Sequence, residues 1–182
     1  MRFGSTSAAL AAGLLAIAPA TAAPKFLGKA GTWFAYTNNN ERGLFCYATS
    51  RPSATAASSA KRASTFFMVS DQPVRNVVDE PQIISGYETH DSNTLTVSVG
   101  GKAFAFFLQG GNAWLVQLSE NDQFIQAMRS SASAVVTGTG PGGVAIRDTY
   151  DLTGFPQALA KARTACGMQV AGKPLTVSRL FR

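Results

Sequence analysis

The sequence predicts a mainly β protein, an immunoglobulin-like antiparallel β-sandwich that carries two helices. Three observations predict it. Charged residues are only 14% of the 182-residue chain, whereas Phe (12) and Gly (17) are plentiful, a balance suited to strands joined by tight turns. Between residues 94 and 117 three apolar runs are separated by Gly-Gly pairs, a strong short-range hairpin signal. Only two segments, near 119–131 and 155–166, carry a helical pattern. Strands therefore dominate, and sheets need another layer to cover their apolar face.

The chain begins "MRFGSTSAALAAGLLAIAPATAAPKF". Arg2 precedes an apolar run, Ala8 to Ala18, followed by Pro19 and the small-x-small step "ATA". This is the pattern of a secretory signal, with cleavage expected after Ala22. The run is shorter than the ~20 apolar residues a membrane span needs. Residues 1–22 are thus expected to be removed, leaving residues 23–182 as one domain without a transmembrane segment. The expected location is the periplasm or the medium.

The elements follow in order. "GTWFAYTNNNERGLFCYATS" reads as two strands around an Asn-rich turn. "RPSATAASSAKRAS" has the Ser/Ala-rich composition of a loop. "STFFMVS" is a buried strand, and "PQIISGYET" is another, with Gly86 expected to form a bulge. "NTLTVSVG", "KAFAFFLQ" and "AWLVQL" form a meander. The middle run has apolar residues at both parities, which predicts cover on both of its faces. "SENDQFIQAMRSS" is a helix with Ser119 as its expected N-cap, Asp122 three residues on, and Phe124, Ile125 and Met128 on one face. "SAVVTGTG" and "GVAIRDTYDL" are two strands around a Pro-Gly-Gly turn. The last helix runs from about Phe155 to Cys166, with Pro156 in its first turn where a missing donor costs nothing. The remaining residues form a tail.

The net charge of +6, or +5 without Arg2, is scattered; Lys61-Arg62 is the one adjacent basic pair. Nucleic-acid binders concentrate such charge on one face, so no nucleic-acid partner is expected. Weak contact with an anionic glycan or lipid surface is the sharper reading of the charge, and a basic envelope protein the plainer one.

Two cysteines are present. Phe155, Ala158, Leu159, Ala162 and Cys166 share one helix face, with Lys161 and Arg163 outside that stripe. Strand parity puts Leu44, Cys46 and Ala48 on another apolar face. Both thiols point inward in a chain bound for an oxidising compartment. A Cys46–Cys166 disulfide is therefore expected. There is no C-x-x-C, which argues against a dithiol redox centre, and two cysteines with one histidine make a poor zinc set.

Several motifs only imitate chemistry. His90, Asp91 and Ser92 are consecutive, whereas a triad converges from separate segments. "GTGPGG" matches a dinucleotide loop in letters but precedes a strand rather than a helix. Adjacent Asp79 and Glu80 point to opposite faces of a strand. Asp148 and Asp151 are candidate carboxylates for an exported hydrolase, the alternative to a non-enzymatic role. Trp33, Trp114, Phe66, Phe67, Phe104, Phe106 and Phe107 read most simply as core. No catalytic, cofactor-binding or metal-binding residue is assigned.

The order of features resembles the invasion-associated locus B family of alphaproteobacterial exported proteins. The matching stretches are "WFAY", "FCYA", "KRASTFFMVSDQP", "ISGY", "GNAW", "MRSSASAVVTGTG" and "DTYDLTGFPQALAKARTAC", spanning about residues 31–168. The resemblance implies an exported β-sandwich with a cysteine pair and no catalytic residues. It also implies a link to host-cell invasion or to a general envelope role, and the export signal, the inward cysteines and the absent catalytic set lead to a non-enzymatic protein expected to work by surface recognition of an envelope component or a host protein.

Overall fold

The computed structural model describes residues 23–55, 62–87, 94–140 and 143–168. The expected signal, His90 and its neighbours, part of the Ser/Ala-rich loop and the tail from residue 169 lie outside them. Among the described residues eleven strands are present: β1 (Lys25–Ala30), β2 (Trp33–Asn40), β3 (Gly43–Ser50), β4 (Ala54–Thr55), β5 (Phe66–Gln72), β6 (Val77–Ile84), β7 (Thr94–Val99), β8 (Lys102–Gln109), β9 (Asn112–Leu115), β10 (Ser133–Thr139) and β11 (Ala145–Asp151). Two helices, α1 (Asn121–Ser130) and α2 (Phe155–Ala165), complete the fold. It is mainly β, antiparallel and decorated by two helices, as the sequence predicts.

All eleven strands join one hydrogen-bonded sheet in the order β1-β2-β3-β5-β6-β9-β8-β7-β10-β11-β4. The expected immunoglobulin-like arrangement, with strands divided between two separate sheets, is a finer pattern than this continuous ladder displays. Instead the sheet curls until its two halves face one another. The Phe67 ring on β5 lies 5.3 Å from that of Tyr150 on β11. The Trp33 indole on β2 donates to the Asp151 carbonyl at 2.9 Å, and the Thr32 amide donates to the Thr153 carbonyl at 3.1 Å. Curling closes the apolar face on itself, because a lone flat sheet would leave that face in water.

The enclosed core is aromatic. α1 inserts Phe124, whose ring lies 5.0 Å from Phe104, 5.3 Å from Phe106 and 6.1 Å from Phe67. α2 contributes Phe155, 4.8 Å from Trp33. The backbones touch where α2 begins beside the β1–β2 turn. A Cβ on Gly31 would sit 2.0 Å from the Thr153 carbonyl oxygen, and one on Gly154 would sit 2.1 Å from that of Ala30. Only glycine permits that approach.

The meander forms as expected. Gly100 and Gly101 have φ of 59° and 74°, and Gly110 and Gly111 have 56° and 80°. Positive φ at both central residues matches the right-handed strand twist. Three local readings are corrected. β8 buries Phe104, Phe106 and Leu108 but exposes Ala103, Ala105 and Phe107, so it is covered on one face only. Ser119 belongs to a 3-10 turn; Glu120 is the N-cap of α1 and makes no side-chain capping bond. Gly86 lies beyond the end of β6, and the sheet's irregular registers are at Phe26/Gly28 and Ser70/Gln72. β1 and the two-residue β4 were not legible as strands, because neither repeats an alternating apolar pattern long enough to register.

Candidate recognition face and its groove

Sheet parity sends every second side chain outward. On the outer face this builds two rows across the strands. One row runs Phe34, Thr49, Met68, Gln82, Trp114, Phe107 through the paired positions of β2, β3, β5, β6, β9 and β8. The other runs Phe26, Tyr36, Tyr47, Ser70, Glu80 from β1 to β6, with Ser70 itself fully buried. Tyr36 stacks on Tyr47 at 5.4 Å, and Phe107 on Trp114 at 5.6 Å. Phe26 and Phe107 are 54% and 42% exposed. Of the aromatics expected in the core, Trp33, Phe67, Phe104 and Phe106 are there, whereas Phe66, Trp114 and Phe107 face outward. Phe26, Phe34, Tyr36, Phe45 and Tyr47 were not singled out from the sequence. Their alternation with Ala35, Cys46 and Ala48 was the signal that could have found them.

The face is hollowed at one end. A groove of about 430 Å³ lies between the β2–β3 hairpin and the 3-10 turn at Pro73–Arg75. The two walls meet closely, since a Cβ on Gly43 would approach Val74 to 2.8 Å. Glu80, Gln82 and Trp114 line the groove together with Arg42 and Arg75. The Arg75 guanidinium donates to the Gln72 side-chain oxygen at 3.0 Å, and Gln72 reaches Glu80 at 3.5 Å. A second hollow of about 290 Å³ shares Glu80 and Trp114 and adds Val78 and Leu118, which is 80% exposed.

Beneath this face the two expected cysteines are joined, with Cα atoms 6.0 Å apart and 120 residues between them in sequence. The strap ties the end of α2 to β3. Beside it Arg163, read from the sequence as lying off the apolar stripe, is buried. It donates to Asp71 at 3.2 Å and pairs with Asp79. Asp71 also accepts from the Asp79 amide at 2.8 Å. Burial pushes the Asp79 carboxyl up, and the Arg163 charge opposes that only in part.

A second buried cluster lies at Asp148. Arg62 grips its carboxylate through two bonds, of 2.7 and 2.5 Å, donates to the Ser85 carbonyl at 2.6 Å, and covers the Tyr87 ring at 5.0 Å. Burial would lower the Arg62 pKa, but the hydrogen bond and charge of Asp148 outweigh it and raise it. Thr65 donates to the Ile84 carbonyl at 2.7 Å and lies 3.3 Å from the Tyr150 hydroxyl. Asp148 and Asp151 do not converge. Asp148 is buried in this ion pair, whereas Asp151 is on the opposite strand face and accepts from the Thr153 amide at 2.8 Å; the Thr153 side chain first, and its amide second, lower the Asp151 pKa. Asp79 and Glu80 are likewise separated, one clamped by Arg163 and the other in the groove.

Burial also pushes the Tyr150 phenol well up, with Thr65 opposing and Asp148 adding to the shift. A phenol with a raised folded-state pKa holds its proton while the unfolded chain loses it. Stability from this group is complete below about pH 9 and falls as pH rises past about 10. Tyr150→Phe should therefore flatten the alkaline decline of the melting temperature, while costing about 1 kcal/mol at neutral pH through the lost hydroxyl contact. Melts followed by circular dichroism between about pH 7 and 11 check this; parallel curves for the two proteins would refute it.

Among the described residues no helix is long and apolar enough to cross a membrane. A protein-family model described as Invasion associated locus B protein matches residues 33–163. No curated protein and no solved structure matches the chain.

Proposed function

From its membership of the invasion associated locus B family, to which the chain belongs, we propose an exported, non-enzymatic protein that works by surface recognition. The observation that carries this reading is the outward face with an aromatic cluster at each end, Phe26, Phe34, Tyr36 and Tyr47 on β1–β3 and the stacked Trp114 and Phe107 on β9 and β8. Aromatic side chains supply large contact area at low cost in side-chain entropy, and they are enriched where proteins meet partners. The leader-like start and the disulfide support export, since such bonds persist in oxidising compartments. The partner class is a protein of the bacterial envelope or of a host surface, and the physiological setting is host-cell invasion or envelope integrity. The hydrolase reading has less support, because its two candidate carboxylates occupy opposite faces of β11.

A photo-crosslinking amino acid placed at Phe107 tests the recognition face in the living cell. It should yield a discrete adduct, and the same group at the exposed Gln126 on α1 should not. Equal labelling from both positions, or no adduct together with turnover of a small substrate, would overturn this function.

A further inference from the structure

We propose that the groove beside the β2–β3 hairpin binds an acidic saccharide, a short glycan segment bearing carboxylate or sulfate groups. The proposal rests on the recognition role of the outer face and names a ligand class for one part of it. The groove's volume of about 430 Å³ falls in the range typical of small-molecule sites.

Its lining chemistry selects the ligand. Trp114 supplies a flat apolar ring in the floor, suited to the C–H face of a sugar. Asn40, Gln72 and Gln82 bring planar amides; Asn40 accepts from the Arg42 amide, Gln72 bridges Arg75 and Glu80, and Gln82 donates to Asn112, and each keeps a further N–H or lone pair for a sugar hydroxyl. An amphipathic helix would instead need a continuous apolar channel, and this groove is mostly amide, guanidinium and carboxylate.

Charge decides between neutral and acidic sugars. Arg42 enters from the hairpin and Arg75 from the 3-10 turn, so two guanidiniums flank the same space. Among the described residues neither pairs with a carboxylate within salt-bridge distance. Arg75 spends one bond on Gln72 and keeps further donors for a carboxylate or sulfate, which its planar fork fits bidentately. Glu80 is the one acidic lining residue, and Gln72 draws on it from the side. It accepts from a hydroxyl and keeps the anionic group toward the arginines.

Titration with a defined tetrasaccharide of hexuronic acid, read by calorimetry and by the emission of Trp114, tests this. The acidic tetrasaccharide should bind, and a neutral glucan of equal length should bind at least about tenfold more weakly. Arg42→Gln and Arg75→Gln should each weaken binding about tenfold without moving the melting temperature, as both side chains are exposed. Lys161→Gln removes the same charge from α2 and should leave binding unchanged. Equal weakening by Lys161→Gln, equal binding of the neutral glucan, or no binding would overturn the saccharide site. Binding of phosphatidylglycerol vesicles in place of the saccharide would overturn it in favour of a lipid surface. An adduct at Phe107 that persists after any of these failures leaves the recognition face standing; its loss as well would remove both.

Discussion

Reduction of the protein, or the paired substitution Cys46→Ala with Cys166→Ala, should lower unfolding free energy by up to about 5 kcal/mol in urea titrations. The magnitude follows from the span of the loop. The bond closes 120 residues of chain, and the denatured ensemble loses freedom in proportion to the logarithm of loop length. That figure is the ceiling of the chain-entropy account. The location of the damage is equally specific. α2 packs on β1, β2 and β3 through Phe155, Ala158, Leu159 and Ala162, and the strap holds its far end. Of these four core side chains only Phe155 and Leu159 are larger than a methyl group, and both precede the last turn, so packing alone grips that turn weakly. Amide exchange in α2 should accelerate more than exchange in β7 or β8. Unchanged stability on reduction would mean that the bond constrains nothing.

Replacing Arg163 with Met should cost about 3–5 kcal/mol, close to the disulfide in size but different in kind. Met fills similar volume, so the loss is electrostatic. Asp71 is fully buried and Asp79 half-buried, and Arg163 is the cation that both face. Without it two carboxyls remain in an apolar setting, where the charged form is disfavoured. The deficit should therefore be largest at neutral pH and shrink as pH falls through the carboxylate range, because the protonated forms cost less to bury. Adding Asp71→Asn and Asp79→Asn to Arg163→Met should recover much of the loss. Denaturant curves at about pH 4.5 and 7.5 read both effects. A deficit that does not change with pH would show that Arg163 acts through packing alone.

The meander was readable from Gly-Gly pairs, since a turn type is set by the φ of two residues. The disulfide was readable because each cysteine shares a local apolar face, Cys46 with Ala48 and Cys166 with Ala162. Arg163 was misread by the same helical rule. It borders the stripe at Ala162, and only the arrival of Asp71 and Asp79 from β5 and β6 makes a buried cation tolerable there. Arg62 was legible only as half of a basic pair in a loop, although it anchors that loop to Asp148, 86 residues on. The groove was invisible for a related reason, because its walls come from a hairpin and a 3-10 turn and its floor from β6 and β9.

By itself the sequence determined both helices, the longer strands other than β1, the Gly-Gly turns and the inward aim of both sulfurs, because backbone dihedrals and side-chain parity are set within a few residues. Tertiary structure alone decided that the sheet would curl into one continuous ladder, which aromatics would remain outside it, and which charges would be buried in pairs. Those outcomes depend on strand order and on which surfaces meet across the core, and neither is encoded in the spacing of neighbouring side chains.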